Sequence, residues 1–132
     1  MLFSEVTALD LEVKGNRATG SSSEGGGVHS LHSKLDLTHA LFELNSCDGQ
    51  GGGLAATGLA RGQLTAIQAQ FRTWHSLRLT RSALTRNTAA RGGAMFVSEV
   101  PDVLLDSTNV THNIAAARQD ALSGRDLNSA GI

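Results

Sequence analysis

Apolar and small residues recur along this chain in one fixed pattern. Leu77, Leu79, Ser82 and Leu84 are followed by Asn87 and then by small Ala89. The same spacing fits Val6, Ala8, Leu11, Val13, Asn16 and Ala18. It fits Leu35, Leu37, Ala40, Phe42, Asn45 and Cys47, and again Val103, Leu105, Thr108, Val110, Asn113 and Ala115. A degenerate copy runs through Leu64, Ala66, Ala69 and Phe71, with Trp74 in the asparagine place and Ser76 after it. Glycine clusters follow in order: Gly25-Gly26-Gly27-Val28, Gly51-Gly52-Gly53-Leu54 and Gly92-Gly93-Ala94-Met95. The first interval also carries "TGSSSE", a flexible turn by composition.

Within each copy the apolar positions alternate, pause for one residue and alternate again. Alternation marks a strand, because successive side chains point to opposite faces. The extra residue reverses the register, so a bend there returns both apolar faces to one side. A third short strand begins at the glycines. Three short strands in a unit of about 20–30 residues predict one coil of a parallel β-solenoid. The fold expected is all-β: a right-handed parallel β-helix of about four coils. An antiparallel β-sandwich also explains alternation, but not an asparagine at one fixed offset.

Asparagine tolerates left-handed backbone and bonds to nearby main chain. Coils stacked about 4.8 Å apart bring equivalent asparagines into reach of one another. Asn16, Asn45, Asn87 and Asn113 are therefore expected to form a ladder, with the residue two places on kept small by a crowded corner. The pairs Gly26-Gly27, Gly52-Gly53 and Gly92-Gly93 are expected to allow positive φ or close backbone approach at the next corner. Trp74 would interrupt the ladder, so residues 58–76 read as an irregular coil or an excursion.

Repeats are assigned to residues 1–117 and a tail to 118–132. In "NIAAARQDALSGRDL", Asn113 and Ala115 fit a fourth coil. Asn113 equally fits an N-cap, with a helix from Ile114 to Leu122 ended by Gly124. No glycine pair follows this copy. Strand pairing is therefore expected to stop near Val110, before a short helical cap or a frayed end.

Composition suits one modest domain: 132 residues, 40% hydrophobic, a single proline, fifteen glycines, and few aromatics to thicken a core. A net charge of −1 offers no attraction to nucleic acid or an anionic membrane. The single cysteine, Cys47, excludes an internal disulfide framework. No run reaches the length of a membrane span, and "MLFSEVTALD" lacks the features of a signal peptide. Localisation is left open by the residues themselves.

"LTRNTAARGGAM" and "FELNSCDGQGGGL" resemble the repeats of chlamydial polymorphic outer-membrane proteins, which carry F-x-x-N and G-G-A-[ILV] motifs. Phe42-x-x-Asn45 matches the first motif outright. Val13-x-x-Asn16, Leu84-x-x-Asn87 and Val110-x-x-Asn113 match it with an aliphatic residue for Phe, and Gly92-Gly93-Ala94-Met95 is nearest to the second. The resemblance covers most of residues 6–117. It implies a surface-displayed β-helix linked to adhesion; the family's outer-membrane barrel has no counterpart in this sequence.

Candidate chemistry is sparse. His29 and His32 would face differently in an alternating strand, and His39, His75 and His112 stand apart, so neither metal nor cofactor is expected. Cys47 occupies a small-residue slot and reads as a buried, inert thiol. The outward carboxylates are Asp10, Glu12, Asp36, Glu43, Asp102 and Asp106. Asp36 and Asp106 differ in offset and would not stack, whereas a catalytic pair must lie close. The glycine runs lack the Lys-Ser/Thr of a phosphate cradle. Asn109-Val110-Thr111 is a glycosylation sequon, with Asn109 facing out.

The function expected is a structural or adhesive segment of a larger surface or secreted repeat protein, without catalysis. The alternative is a carbohydrate-binding or carbohydrate-active β-helix of the pectin-lyase kind, for which Trp74 is the only exposed aromatic candidate. Expected partners are neighbouring repeats, another protein or a glycan surface, with edge-to-edge self-association of the chain.

Overall fold

The structure is a computed structural model that describes residues 4–58, 75–116 and 122–123. Its described residues form strands, turns and no helix. Strands β1 (Ser4–Leu9), β2 (Glu12–Lys14), β3 (Arg17–Ala18) and β4 (Val28–Leu31) make the first circuit. The second is β5 (Ser33–Thr38), β6 (Leu41–Glu43), β7 (Ser46–Gln50) and β8 (Leu54–Thr57). The third is β9 (Ser76–Thr80), β10 (Ala83–Thr85), β11 (Thr88–Arg91) and β12 (Met95–Ser98). The last is β13 (Asp102–Asp106), β14 (Asn109–Thr111), β15 (Ile114–Ala115) and β16 (Leu122–Ser123).

Each circuit contributes one strand to each of four parallel sheets, ordered β1-β5-β9-β13, β2-β6-β10-β14, β3-β7-β11-β15 and β4-β8-β12-β16. All four sheets therefore stack the circuits in chain order, an arrangement consistent with a parallel β-solenoid. The expected three strands per coil are in fact four. The bend in the pause separates β1-type from β2-type strands, and the Asn corner separates β2-type from β3-type strands.

The pattern columns are the register columns. Val6 pairs with Leu35, Leu35 with Leu77, and Leu77 with Val103. Val13, Phe42, Leu84 and Val110 form a second column, and Ala18, Cys47, Ala89 and Ala115 a third. Burial follows position along the stack. Val6 is 45% exposed, whereas Leu35 and Leu77 in the same column are 5% and 0% exposed. The core is thus the inside of the middle circuits: Leu37, Phe42, Leu54, Leu77, Leu79, Leu84, Met95 and Val97. A circuit has no interior of its own, so only a neighbour on each side closes it.

The backbone at the corners differs from the sequence expectation. The asparagines are not left-handed; the residue before each of them is. Gly15, Leu44, Arg86 and His112 have φ of 64°, 57°, 56° and 56°. A second such column, Asp10, His39, Arg81 and Ser107, stands between the first and second sheets. Hydrogen bonds continue through these corners, as in Asp10 N–H to Thr38 O at 3.0 Å and His39 N–H to Thr80 O at 2.9 Å. A non-glycine residue in this region costs about 1–2 kcal/mol, offset here by an unbroken inter-coil ladder. Leu44 is 57% exposed and supplies little core contact. Leu44→Gly is therefore expected to raise stability by about 0.5–1 kcal/mol, strain relief exceeding the added chain entropy. A thermal melt checks it; an unchanged or lower midpoint refutes the strain.

Pairing also outlasts the expected stop at Val110. Ile114 and Ala115 pair with Thr88 and Ala89, and Leu122 pairs with Met95. The helix expected from Ile114 to Leu122 is contradicted at both ends, because the edges of β11 and β12 template strands where local propensity favours helix. Residues 117–121 and 124–132 lie outside the described residues. So do residues 59–74 of the stretch 58–76 expected to be an irregular coil or excursion, whereas Ser76 at its end already opens the regular strand β9. On either side of that stretch, β5 pairs directly with β9 and β8 directly with β12.

Candidate functional site

The most organised polar feature is the asparagine column. Asn16 Nδ2 donates to Asn45 Oδ1 at 3.1 Å, Asn45 Nδ2 to Asn87 Oδ1 at 3.1 Å, and Asn87 Nδ2 to Asn113 Oδ1 at 3.0 Å. Each Oδ1 also accepts the main-chain N–H of the preceding asparagine, at 3.1, 3.0 and 2.9 Å. The second amide hydrogen reaches back one coil, from Asn45 to Val13 O (2.8 Å), Asn87 to Phe42 O (2.9 Å) and Asn113 to Leu84 O (2.8 Å). Those carbonyls fix the amide orientation, since only a donor satisfies them. Asn45 and Asn87 are 1% and 0% exposed, and each uses both amide hydrogens and accepts twice. A buried amide is stable only when satisfied in this way.

A second, shorter ladder escaped the sequence reading. Ala40 N–H donates to Ser82 Oγ at 3.0 Å and Ser82 N–H to Thr108 Oγ1 at 3.4 Å. The hydroxyls in turn donate to Thr80 O and Leu79 O. Its signal was visible: polar Ser82 and Thr108 sit where Leu11 and Ala40 are apolar.

Both expected alternatives occur: positive φ stands one residue before the pairs Gly26-Gly27 and Gly52-Gly53 but on the first member of Gly92-Gly93, and close backbone approach falls on the pairs themselves. Positive φ falls on Gly25, Gly51 and Gly92, at 67°, 72° and 61°. Gly26, Gly52 and Gly93 are glycine for a different reason. A Cβ on Gly26 would strike Gly52 O and Ser46 O, one on Gly52 would strike Gly93 O, and one on Gly93 would strike Ile114 O. A Cβ on Gly27 or Gly53 would press on Asn45 Cγ (3.1 Å) or Asn87 Cγ (3.3 Å). These glycines make room for the next coil and for the asparagine column.

Of the outward carboxylates, Glu12, Glu43 and Asp102 are paired with Lys or Arg. Glu43 lies between Lys14 Nζ (3.3 Å) and Arg86 Nη1 (3.4 Å), and Lys14 Nζ also reaches Glu12 at 2.7 Å. The two carboxylates hold the exposed Lys14 ammonium above its ordinary range. Asp102 pairs with Arg78 at 3.3 Å and Asp10 with His39 at 3.3 Å. Asp36 stands in register with Arg78, and Asp106 in register with Thr80, in separate columns of one face. Exposed pairs of this kind contribute little to stability.

The histidines are dispersed. His29 Nε2 lies 2.8 Å from Glu24 Oε2, and His112 is a left-handed corner residue. The His32 ring lies 6.0 Å from that of buried His75. Among the described residues no group of three His, Cys, Asp or Glu is placed to hold a metal ion. Burial pushes the His32 imidazole below its ordinary range. The fold thus prefers the neutral ring. That stability is fully present above the ordinary value of about 6.5 and is lost as pH falls from there through the lowered value of the folded state. Urea midpoints of wild type at neutral pH and near pH 5 should differ more than those of His32→Asn; equal differences refute the contribution.

Cys47 is buried, with Sγ 3.2 Å from Ser23 Oγ and donating to Ser23 O at 3.3 Å. Asn109 is exposed on β14, in register with Ala83. No helix among the described residues is long and apolar enough to cross a membrane. No family model, curated protein or solved structure matches this chain.

Proposed function

We propose that this chain is a stretch of right-handed parallel β-helix with a structural or adhesive role and no catalytic one, part of a larger repeat protein of the cell surface or of secreted type. The observation that carries this reading is the ladder of Asn16, Asn45, Asn87 and Asn113, whose bonding is the same at every step. Buried polar specificity is given to stacking one coil on the next. The Phe42-x-x-Asn45 and Gly92-Gly93-Ala94-Met95 likeness to chlamydial surface repeats supports the placement at a cell surface. Outward carboxylates tied to Lys14, Arg78 and Arg86 support a solvated face rather than a proton-transferring pair. Partners on this reading are neighbouring repeats, or a protein or glycan lying along the stacked outer faces.

A tandem duplication of residues 76–101 tests the proposal. It adds one interior coil, so the unfolding midpoint should rise, because stability in such stacks grows with each coil-to-coil interface. A lowered midpoint rejects the stacked scaffold. The same preparation, incubated with acidic and neutral polysaccharides, should release neither unsaturated products nor new reducing ends; steady release rejects the non-catalytic role.

A further inference from the structure

We propose that Asn109 is an N-glycosylation site, its side-chain amide carrying an oligosaccharide on the outer face of the sheet β2-β6-β10-β14. This rests on the surface or secreted placement proposed above, since Asn-x-Thr is an acceptor in chains that leave the cell interior. Asn109-Val110-Thr111 coincides with strand β14. Alternation along that strand turns Val110 inward onto the core and leaves Asn109 and Thr111 exposed on the opposite side. The acceptor amide and the hydroxyl that completes the acceptor sequence are therefore presented together, away from the core.

The asparagines of the described residues divide into two kinds. Asn16, Asn45, Asn87 and Asn113 commit their amides to the inter-coil ladder. A sugar on one of those nitrogens would displace buried hydrogen bonds. The residue two places on is also wrong for an acceptor in each case: Ala18, Cys47, Ala89 or Ala115, never Ser or Thr. Asn109 differs in both respects. Its main-chain N–H donates to Ser82 O at 2.9 Å, while its side-chain amide makes no hydrogen bond among the described residues. Glycosylation there removes no contact of the fold.

The neighbouring coil leaves room for the product. Asn109 stands in register with Ala83, whose side chain ends at Cβ. Thr111 Oγ1 donates to Thr85 Oγ1 at 3.3 Å, which holds the hydroxyl on the same face. That face runs along the stack, not across its end. Ala83 and Thr85 have a coil on either side and are still partly exposed. A further coil beyond β14 would therefore flank Asn109 without covering it.

The donor class is an oligosaccharide linked to a polyprenyl pyrophosphate. A bond forms between Asn109 Nδ2 and C1 of the first sugar, and the C1–O bond to the pyrophosphate breaks. The amide proton passes to a base of the transferase, and the polyprenyl pyrophosphate leaves. Nothing is oxidised or reduced.

The test uses the full chain recovered from its source, after the intact cells have been treated with a membrane-impermeant amine label. Peptide N-glycosidase in heavy-oxygen water converts a glycosylated asparagine to an aspartate that carries the heavy oxygen. The peptide spanning Asn109 should show that conversion. The intact mass should fall by one oligosaccharide in Asn109→Gln and in Thr111→Ala, and Thr111→Ser should keep the modification. A glycan that persists in Asn109→Gln overturns the assignment to this residue. A chain that is labelled on the cell surface or found in the medium, with Asn109 unmodified, overturns the site and leaves the surface placement standing. A chain that is neither labelled nor exported, and unmodified, overturns both.

Discussion

Gly52→Ala is expected to destabilise the protein by roughly 3–5 kcal/mol, the range of severe core lesions, lowering the melting midpoint by about 10 °C or more. The added Cβ would press on the Gly93 carbonyl and lie 2.7 Å from both Thr88 N and Thr88 O. All three atoms belong to the next coil's backbone, so no side-chain rotation relieves the contact; the two coils must separate locally and lose inter-coil hydrogen bonds. Gly93→Val meets Ile114 backbone in the same way, at 2.5 Å from its carbonyl carbon and 2.7 Å from its nitrogen. Positive φ is not the cause at either residue. Gly15 supplies the control. It has φ of 64° and nothing within 4 Å of an added Cβ, so Gly15→Ala should cost only the conformational strain, about 1–2 kcal/mol. Melts of both variants check the contrast. Equal losses would mean that backbone conformation, not coil-to-coil approach, governs the glycine positions.

Asn87→Ala is expected to cost a similar amount, about 3–5 kcal/mol, for a chemical rather than a steric reason. Removing the amide leaves Asn45 N–H and Asn45 Nδ2 without their acceptor and Phe42 O without its side-chain donor, all at buried positions. Each orphaned group costs about 1–3 kcal/mol, and the losses are not additive because the ladder relaxes as a unit. Asn16→Ala should cost only about 1 kcal/mol, because Asn16 is exposed and Asn45 Oδ1 keeps the main-chain donor of residue 16. Asn87→Asp should be at least as damaging as Asn87→Ala at neutral pH. It keeps the shape but sets an acceptor against Phe42 O and Asn113 Oδ1, and it buries a charge. Denaturant midpoints at constant m-value decide the order. An Asn87→Asp variant as stable as wild type would remove the ladder from the list of stabilising features.

The columns of the stack were legible along the chain, because one side-chain pattern must serve every coil that shares a register. Val6, Leu35, Leu77 and Val103, or Asn16, Asn45, Asn87 and Asn113, announce one another by offset alone. Repetition also made parallel stacking the economical explanation. The corner chemistry was harder to read. Left-handed Leu44, Arg86 and His39 carry no glycine or asparagine signal, because their conformation is imposed by hydrogen bonds to the adjacent coil. The glycine clusters were visible, but which member needs positive φ and which needs empty space depends on atoms of another coil.

By itself the sequence determined the repeat: which side chains point inward, where the asparagines stack, and that equivalent residues pair in parallel. Only the tertiary structure decided that each circuit has four strands, that β9 follows directly on β5, and that Ile114–Ala115 and Leu122–Ser123 are strands rather than a helical cap. The physical reason is range. Successive ladder bonds join residues 29, 42 and 26 positions apart. A strand of two residues has no local preference strong enough to form, and it exists because a finished edge of N–H and C=O groups waits beside it.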